Sequence, residues 1–307
     1  MKPDDSGLDI ESLLAVESRA RRLLDKASVW DRFPTPIDDI LDAAKLRVAP
    51  TSIFDRSAIL EYLKGKSVDA ARYLKNAVGK LFGLYDSYES VIHIDDSVVV
   101  SKQNFLKLHE TGHHEMPTHR KLFRLFEDCE KTLSPEIADQ FEREANNFAR
   151  FMLFQGPTYG RIAADHKFEI KTPMKLAKKF GASIYASARE FARTSKRACV
   201  VYVLEPVEIA QQSGAMARVR RIEPSPAFAA QFGIPRDAAI TLDHALGRIL
   251  PIGRRMTPPT IVCLADRNGD SHECIAEAFD TRHNVILLLY PVRELSASVS
   301  IVLPVAS

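Results

Sequence analysis

The sequence predicts an α+β protein, with a mainly helical N-terminal part that holds a small sheet and an antiparallel α+β C-terminal part. Up to about residue 197, apolar residues recur mostly three or four positions apart, which is the spacing of one helix face. From Cys199 onward, short β-rich runs alternate with proline and glycine, and the Asn268-Gly269 pair between two runs is typical of a hairpin. A chain of 307 residues is long enough for two or three domains.

The composition excludes several classes of protein. Lys and Arg number 42 against 40 Asp and Glu, so the net charge is +2 and nucleic-acid contact would need a local basic patch. There is no run of 18 apolar residues and no apolar signal segment at the N-terminus, so we expect a cytoplasmic protein without membrane contact. The cysteines form no C-x-x-C pair, which argues against a disulfide framework and a thiolate zinc site. They are Cys129, Cys199, Cys263 and Cys274.

Helices and a small sheet are predicted in the first hundred residues. The spacing of apolar residues predicts the helices, and β-branched and aromatic runs beside turn residues predict the strands. The predicted elements are a helix over 8–28, a helix that starts after Pro36 and runs to about Ala44, a helix over 57–78, and strands over 81–85 and 90–94.

Two longer helices are predicted next. Ser101 can cap a helix that runs to about Glu115, where Pro117 blocks continuation. Ser134-Pro135-Glu136 combines an N-cap, a proline at the first helical position and an acid in the first turn, and this helix should run to about Phe154.

The C-terminal part is predicted to combine antiparallel strands with short helices. Proline and glycine separate its β-rich runs, so each run is expected to be one strand. The predicted strands cover 200–204, 261–264, 274–279 and 285–290, and the predicted helices cover 226–232 and 237–246.

The motif that carries chemistry lies on the predicted helix before Pro117. Residues 109–113 read H-E-T-G-H, and two histidines four apart on a helix project from one face, about one turn from each other. Both can bind one zinc ion, and Glu110 would reach a water on that ion. Gly112 would allow another backbone to come close. The motif therefore predicts a catalytic zinc site with His109 and His113 as ligands.

A third ligand should come from the following helix, where Glu142 and Glu144 are the candidates. On a helical wheel they lie at similar angles on opposite sides of the apolar stripe, so the pattern does not choose between them. His93 and His119 are expected to have structural roles, and His114 is expected to lie at the surface or next to a ligand without touching the metal.

H-E-T-G-H, followed about thirty residues later by E-R-E-A-N-N-F-A-R-F-M-L, resembles the ImmA/IrrE family of zinc metallopeptidases. The segment from Pro34 is also similar to the start of that family, and the resemblance covers about residues 30–197. In related zinc peptidases the ligand is the first Glu of E-x-x-x-D/N, which matches Glu142 with Asn146 in the fifth position. Thr111 replaces the family's usual leucine, and the usual L-L-M-P ending is absent.

The resemblance implies a zinc-dependent regulatory protease, with Mn²⁺ as a possible substitute metal. Glu110 would take a proton from water and return it to the leaving amine, so the protein would cut a peptide bond. The substrate would be a Cro-like helix-turn-helix repressor, whose loss switches on stress-response or mobile-element genes. The implied domains are a zincin-like peptidase over 1–168, a helix-turn-helix-like segment over 169–197 and a GAF-like sensor over 198–307.

The segment 171–197 is strongly basic. It holds eight Lys and Arg residues and one acid, Glu190, in two helical stretches joined near Gly181. This outline is typical of a helix-turn-helix that contacts DNA, and equally of a solvated helical pair that packs between two domains. The alternative function is therefore a DNA-binding transcriptional regulator whose metal site is structural or idle.

Overall fold

The computed structural model describes residues 6–49, 83–86, 90–94, 98–120, 135–210 and 214–293, and it confirms the α+β class. The helix predicted over 57–78 lies outside the described residues, as does Cys129. The chain divides into two compact units. The first comprises Met1–Tyr159 and Leu176–Ser183, and the second comprises Gly160–Lys175 and Ile184–Ser307. The predicted domain boundaries stay predictions.

Helices and a small sheet make up the described part of the first unit before residue 155, and residues 117–120 after α3 are also helical. The helices are α1 (Ile10–Ala27), α2 (Ile37–Ala44), α3 (Val100–Glu115) and α4 (Pro135–Phe154). The strands are β1 (Arg47–Val48), β2 (Gly83–Asp86) and β3 (Val91–Ile94). They are ordered β1-β3-β2, with β1 parallel and β2 antiparallel to β3. Helix α3 packs beside β2 and β3.

Helix α3 begins at Val100, so the prediction that Ser101 caps it is wrong. Val99 occupies the cap position without a side-chain hydrogen bond, and its carbonyl accepts from the Gln103 backbone N–H at 3.0 Å. The Gln103 side chain also donates to the Val98 carbonyl at 2.7 Å. A serine cap stabilises a helix by only about 1 kcal/mol, so these contacts can set the start of the helix instead.

Helices α3 and α4 approach each other most closely at Gly112. A Cβ atom built on Gly112 would lie 3.2 Å from the Cα of Ala145 and 3.2 Å from the Phe148 side chain. Those distances are shorter than ordinary van der Waals contact, so only glycine permits this spacing of the helices without a shift. The expected close backbone approach at Gly112 is confirmed.

Short helices and a larger sheet form the rest of the described chain. The helices are α5 (Thr158–Ala164), α6 (Lys171–Phe180), α7 (Ile184–Thr194) and α8 (Pro226–Phe232), with a short 3-10 helix, η1 (Gly247–Ile249). The strands are β4 (Val200–Leu204), β5 (Glu208–Ala210), β6 (Gly214–Pro224), β7 (Ala239–Thr241), β8 (Met256–Ala265), β9 (Ser271–Asp280) and β10 (Val285–Pro291).

The larger sheet is antiparallel, with the order β5-β6-β4-β10-β9-β8 and with β7 paired to β6. The Asn268-Gly269 pair lies between β8 and β9, as expected for a hairpin. Gly269 has a φ of +90°, a conformation that favours glycine. One face of the sheet packs against α8 and η1, where Phe228 and Ile249 are fully buried.

The helix predicted over 237–246 is wrong. The chain forms β7 there, and Ala239–Thr241 pairs with Met216–Arg218 of β6. Ile240 is fully buried in the core of the second unit, and β-branched residues such as Ile and Thr favour a strand that is covered on one face. Strand β6 was not predicted, so the partner that holds β7 in place was missing from the sequence analysis.

Helix α7 packs on β4 and β6, and each of its residues is buried or half-buried. Two of its arginines bind one glutamate of β6: Arg189 Nε lies 3.0 Å and Arg193 Nη2 lies 2.7 Å from Glu223 Oε2. Burial alone would raise the pKa of Glu223, but the two guanidinium groups outweigh it and lower the pKa. The ion pairs of Arg189 and Arg193 with Glu223 therefore stabilise the fold.

We expect Glu223→Gln to destabilise the protein by about 1–3 kcal/mol, because it removes the carboxylate that binds the buried Arg189 and the half-buried Arg193. The lowered pKa means that the ionised carboxylate stabilises the fold above its ordinary pKa near 4.3 and that this contribution is lost as the pH falls further. Urea unfolding at several pH values measures the difference.

Glu208→Gln is the matched control, since Glu208 and Arg218 form an exposed pair at 3.9 Å whose loss should change stability by no more than about 0.5 kcal/mol. Equal unfolding free energies for the wild type and Glu223→Gln at pH 7 would show that the ion pairs of Glu223 do not stabilise the fold.

Candidate metal centre

The two histidines of the motif lie side by side on α3. His109 and His113 are 9% and 4% exposed, and their Nε2 atoms are 3.2 Å apart. The spacing of four residues on a helix produces this arrangement, because such residues lie one turn apart on the same face. Two ring nitrogens therefore point at one place between α3 and α4.

Glu142 of α4 completes the group. Its Oε2 lies 3.3 Å from the Nε2 of His109, and its Oε1 lies 3.6 Å from the Nε2 of His113. Among the described residues, these three side chains are the one set of His, Cys, Asp or Glu whose donor atoms converge closely enough to hold a metal ion. The Glu142 side chain is 44% exposed, so the group opens to solvent on the side of this carboxylate.

The three donors fit a zinc ion. Two ligand atoms at about 2.0–2.1 Å from a tetrahedral ion lie roughly 3.3 Å apart. The two Nε2 atoms are 3.2 Å apart, and each lies 3.3 or 3.6 Å from one of the two oxygens of Glu142. Imidazole and carboxylate ligands also suit Mn²⁺. With three protein ligands, one position of a tetrahedral ion is left for water or substrate.

The ring of His109 is oriented for metal binding. The Oδ1 of Asn146 lies 3.1 Å from its Nδ1, and because a carbonyl oxygen only accepts, the Nδ1 of His109 donates. In the neutral ring, the lone pair is then on Nε2, which faces Glu142 and His113. Hydrogen bonds of this kind are the usual means by which proteins orient a metal-binding histidine.

His109 and Glu142 shift each other's pKa in opposite directions. Burial by itself lowers the pKa of His109, but the hydrogen bond and charge of Glu142, together with Glu110, raise it to about 9. Burial raises the pKa of Glu142, but His109 outweighs it and lowers the value to about 2. Without a metal the two therefore form an ion pair, and a cation that binds here displaces the proton on His109.

Glu110 lies beside the group and does not belong to it. It is 7% exposed, and burial raises its pKa to about 7, with a further increase from the nearby Glu142 carboxylate. His109 and the backbone N–H of Tyr85 act in the opposite direction. A carboxyl group with this pKa can both accept and return a proton near neutral pH.

Glu144, the other candidate for the third ligand, points elsewhere. Its Oε2 accepts from the Nε2 of His119 at 2.9 Å, and its Oε1 accepts from the Gln140 side chain at 2.7 Å. His119 also contacts a proposed ligand, because its Nδ1 lies 3.0 Å from the Nδ1 of His113. The spacing of the motif does not predict this contact, because His119 lies beyond Glu115, where α3 ends.

The other histidine beside the motif does not join the metal group. His114 is hydrogen-bonded through its Nδ1 to the Tyr85 hydroxyl at 2.7 Å, and the two rings meet edge to face. This contact ties α3 to β2. His114 therefore serves as a useful control for changes to this helix.

No family model matches the chain, and no curated protein gives a significant match. Solved structures do match, among them a chain described as a Mycobacterium tuberculosis transcriptional regulator. The two have a TM-score of 0.52 and 12% sequence identity, and the match covers 90% of this chain and 75% of that one. This likeness shows a shared fold. Within the described residues, no helix has the length and apolar character needed to cross a bilayer.

We expect the purified chain to bind one equivalent of zinc, and Glu142→Ala to lose it. The substitution removes one of three ligands, and the two imidazoles that remain on α3 cannot close the site. Metal analysis after gel filtration against a weak chelator measures the stoichiometry. His114→Ala should keep one equivalent, and full retention of zinc by Glu142→Ala would exclude this carboxylate as a ligand.

We also expect Gly112→Val to weaken zinc binding and to destabilise the fold by about 1–3 kcal/mol, because the added side chain separates two helices that carry different ligands. Gly160→Val is the control. A Cβ on Gly160 would meet Thr194 at 3.1 Å, a similarly tight contact that involves no ligand. The prediction fails if both variants bind zinc as tightly as the wild type.

Proposed function

We propose that this protein is a zinc-dependent, site-specific metallopeptidase of the ImmA/IrrE type. The observation that carries the proposal is the convergence of His109, His113 and Glu142, with Glu110 buried beside them. The H-E-x-x-H pattern and the E-R-x-A-N pattern thus supply the same centre from two helices. The family assignment itself rests on the resemblance of these motifs.

Each residue of the centre has a distinct task. His109, His113 and Glu142 would hold the metal, and Asn146 orients the first of these rings. When bound, zinc would supply Lewis acidity that polarises a water molecule and a peptide carbonyl. Glu110, buried beside these ligands, would take the proton from that water and deliver it to the leaving amine.

The accessible side of the centre supports a macromolecular substrate. The two imidazoles are buried, whereas the Glu142 side chain is 44% exposed, so a segment of another protein can approach along the edge of α4. The resemblance suggests that the substrate is a helix-turn-helix repressor of the Cro type. Its cleavage would switch on stress-response or mobile-element genes.

A second candidate is a DNA-binding transcriptional regulator with an idle or structural metal site. The name of the M. tuberculosis neighbour and the basic segment 171–197 favour it. Helix α7, which would enter the major groove of DNA, has no exposed residue, and its Arg189 and Arg193 bind Glu223. The exposed lysines of the segment would therefore have to make the contact: Lys171, Lys175, Lys178, Lys179 and Lys196.

We expect Glu110→Gln to reduce cleavage of a repressor encoded beside this gene by about 10²–10⁴-fold and to leave the zinc content unchanged. The glutamine keeps the ligands in place but cannot accept a proton. Gel analysis of the purified repressor over time measures cleavage. Glu115→Gln, an acid on the same helix outside the metal group, is the matched control and should cleave like the wild type.

The second candidate makes a different prediction. If Glu110→Gln regulated its target genes like the wild type, while Lys175→Glu with Lys178→Glu abolished both regulation and DNA binding, the peptidase proposal would be wrong.

A further inference from the structure

A continuous line of hydrogen bonds runs from the metal group to the far flank of α4. The Nδ1 of His113 lies 3.0 Å from the Nδ1 of His119, and the Nε2 of His119 lies 2.9 Å from the Oε2 of Glu144. Gln140 donates to the second oxygen of that carboxylate at 2.7 Å. His119 is fully buried, and its ring stacks on Phe141 with centroids 3.8 Å apart.

The chemistry of this line determines where the protons lie. An ionised carboxylate only accepts, so the Nε2 of His119 carries a hydrogen and donates to Glu144. In a neutral ring, the Nδ1 of His119 is then an acceptor. The Nδ1 of His113 must supply the hydrogen between the two rings. The lone pair of His113 is thereby placed on its Nε2, the atom that faces His109 and Glu142.

We propose that His119 and Glu144 are positioning residues that fix the orientation and tautomer of His113 for metal binding. Neither residue belongs to the group that holds the metal, so they would act on it through the hydrogen bond to His113. The inference rests on the proposed function only in taking the group to be a metal centre. It adds two residues that neither the motif nor the helical wheel identifies as a pair.

The rigidity of the surroundings supports this role. His119 has two hydrogen-bonding neighbours and an aromatic ring against its face, so its own orientation is constrained on three sides. Glu144 is held in turn by Gln140, one turn earlier on α4. A constrained partner fixes the ring to which it bonds better than a mobile side chain or water would.

The test compares zinc affinity among purified full-length variants, by competition with a chromophoric chelator at pH 7.5. We expect His119→Leu and Glu144→Ala each to weaken zinc binding about 10–100-fold. His119→Gln should keep most of the wild-type zinc affinity, because the glutamine carbonyl can accept from His113 while the glutamine amide donates to Glu144. His114→Leu, which changes the neighbouring histidine on α3, should bind zinc like the wild type.

A second readout separates positioning from general loosening of the fold. The Co²⁺-loaded protein reports ligand geometry by its visible absorption, which should change in His119→Leu and remain as in the wild type in His119→Gln. Urea unfolding of the metal-free chains identifies any variant that fails to fold. If His119→Leu does not fold, Glu144→Ala and His119→Gln still decide the question.

The outcomes are distinguishable. Wild-type zinc affinity in folded His119→Leu and Glu144→Ala overturns the inference and leaves the peptidase proposal standing. Loss of zinc affinity in these variants, combined with no cleavage of the repressor by the zinc-loaded wild type, supports the inference and overturns the peptidase proposal. A wild-type chain that binds neither Zn²⁺ nor Co²⁺ overturns both.

Discussion

The close contact between α3 and α4 is the constraint on which the candidate metal centre depends. Two ligands lie on α3 and the third on α4, so the distance between the helix axes sets the distance between the ligands. That distance is small because Gly112 has no side chain and faces Ala145, a residue with a small one. The buried apolar stripe of α4 supports the contact, and the donor atoms of the metal group lie at the edge of that stripe. They are brought together by packing and not by the local sequence alone.

Much of this centre could be predicted from the sequence, because the spacing of His109 and His113 is a local property of one helix. The spacing of apolar residues could not choose between Glu142 and Glu144, since both flank the same apolar stripe, and only the family resemblance favoured Glu142. The structure explains the ambiguity: Glu142 faces the paired rings, whereas Glu144 faces His119 on the other flank. The position of His119 depends on how the chain turns after Met116, and the spacing of apolar residues does not predict that turn.

The fold shows the same division between local and non-local information. Helices α1, α2 and α4 lie close to where the spacing of apolar residues and, for α4, the Ser134-Pro135 start predict them, since those signals act within a few residues. The error over 237–246 arose because β7 is a strand only through its pairing with β6. The basic segment is similar: its charge was visible in the sequence, but the use of Arg189 and Arg193 to bind Glu223 depends on a strand thirty residues away.

Helix α4 also limits how this region can change during evolution. Within Glu142–Asn146 it carries a proposed metal ligand, the acid that holds His119 and the amide that holds His109. Adding or deleting one residue inside that stretch would turn everything beyond it by about 100° around the helix axis and misalign these side chains relative to one another. Insertions and deletions should therefore be absent from this stretch in functional descendants, while substitutions on its outer surface remain tolerable.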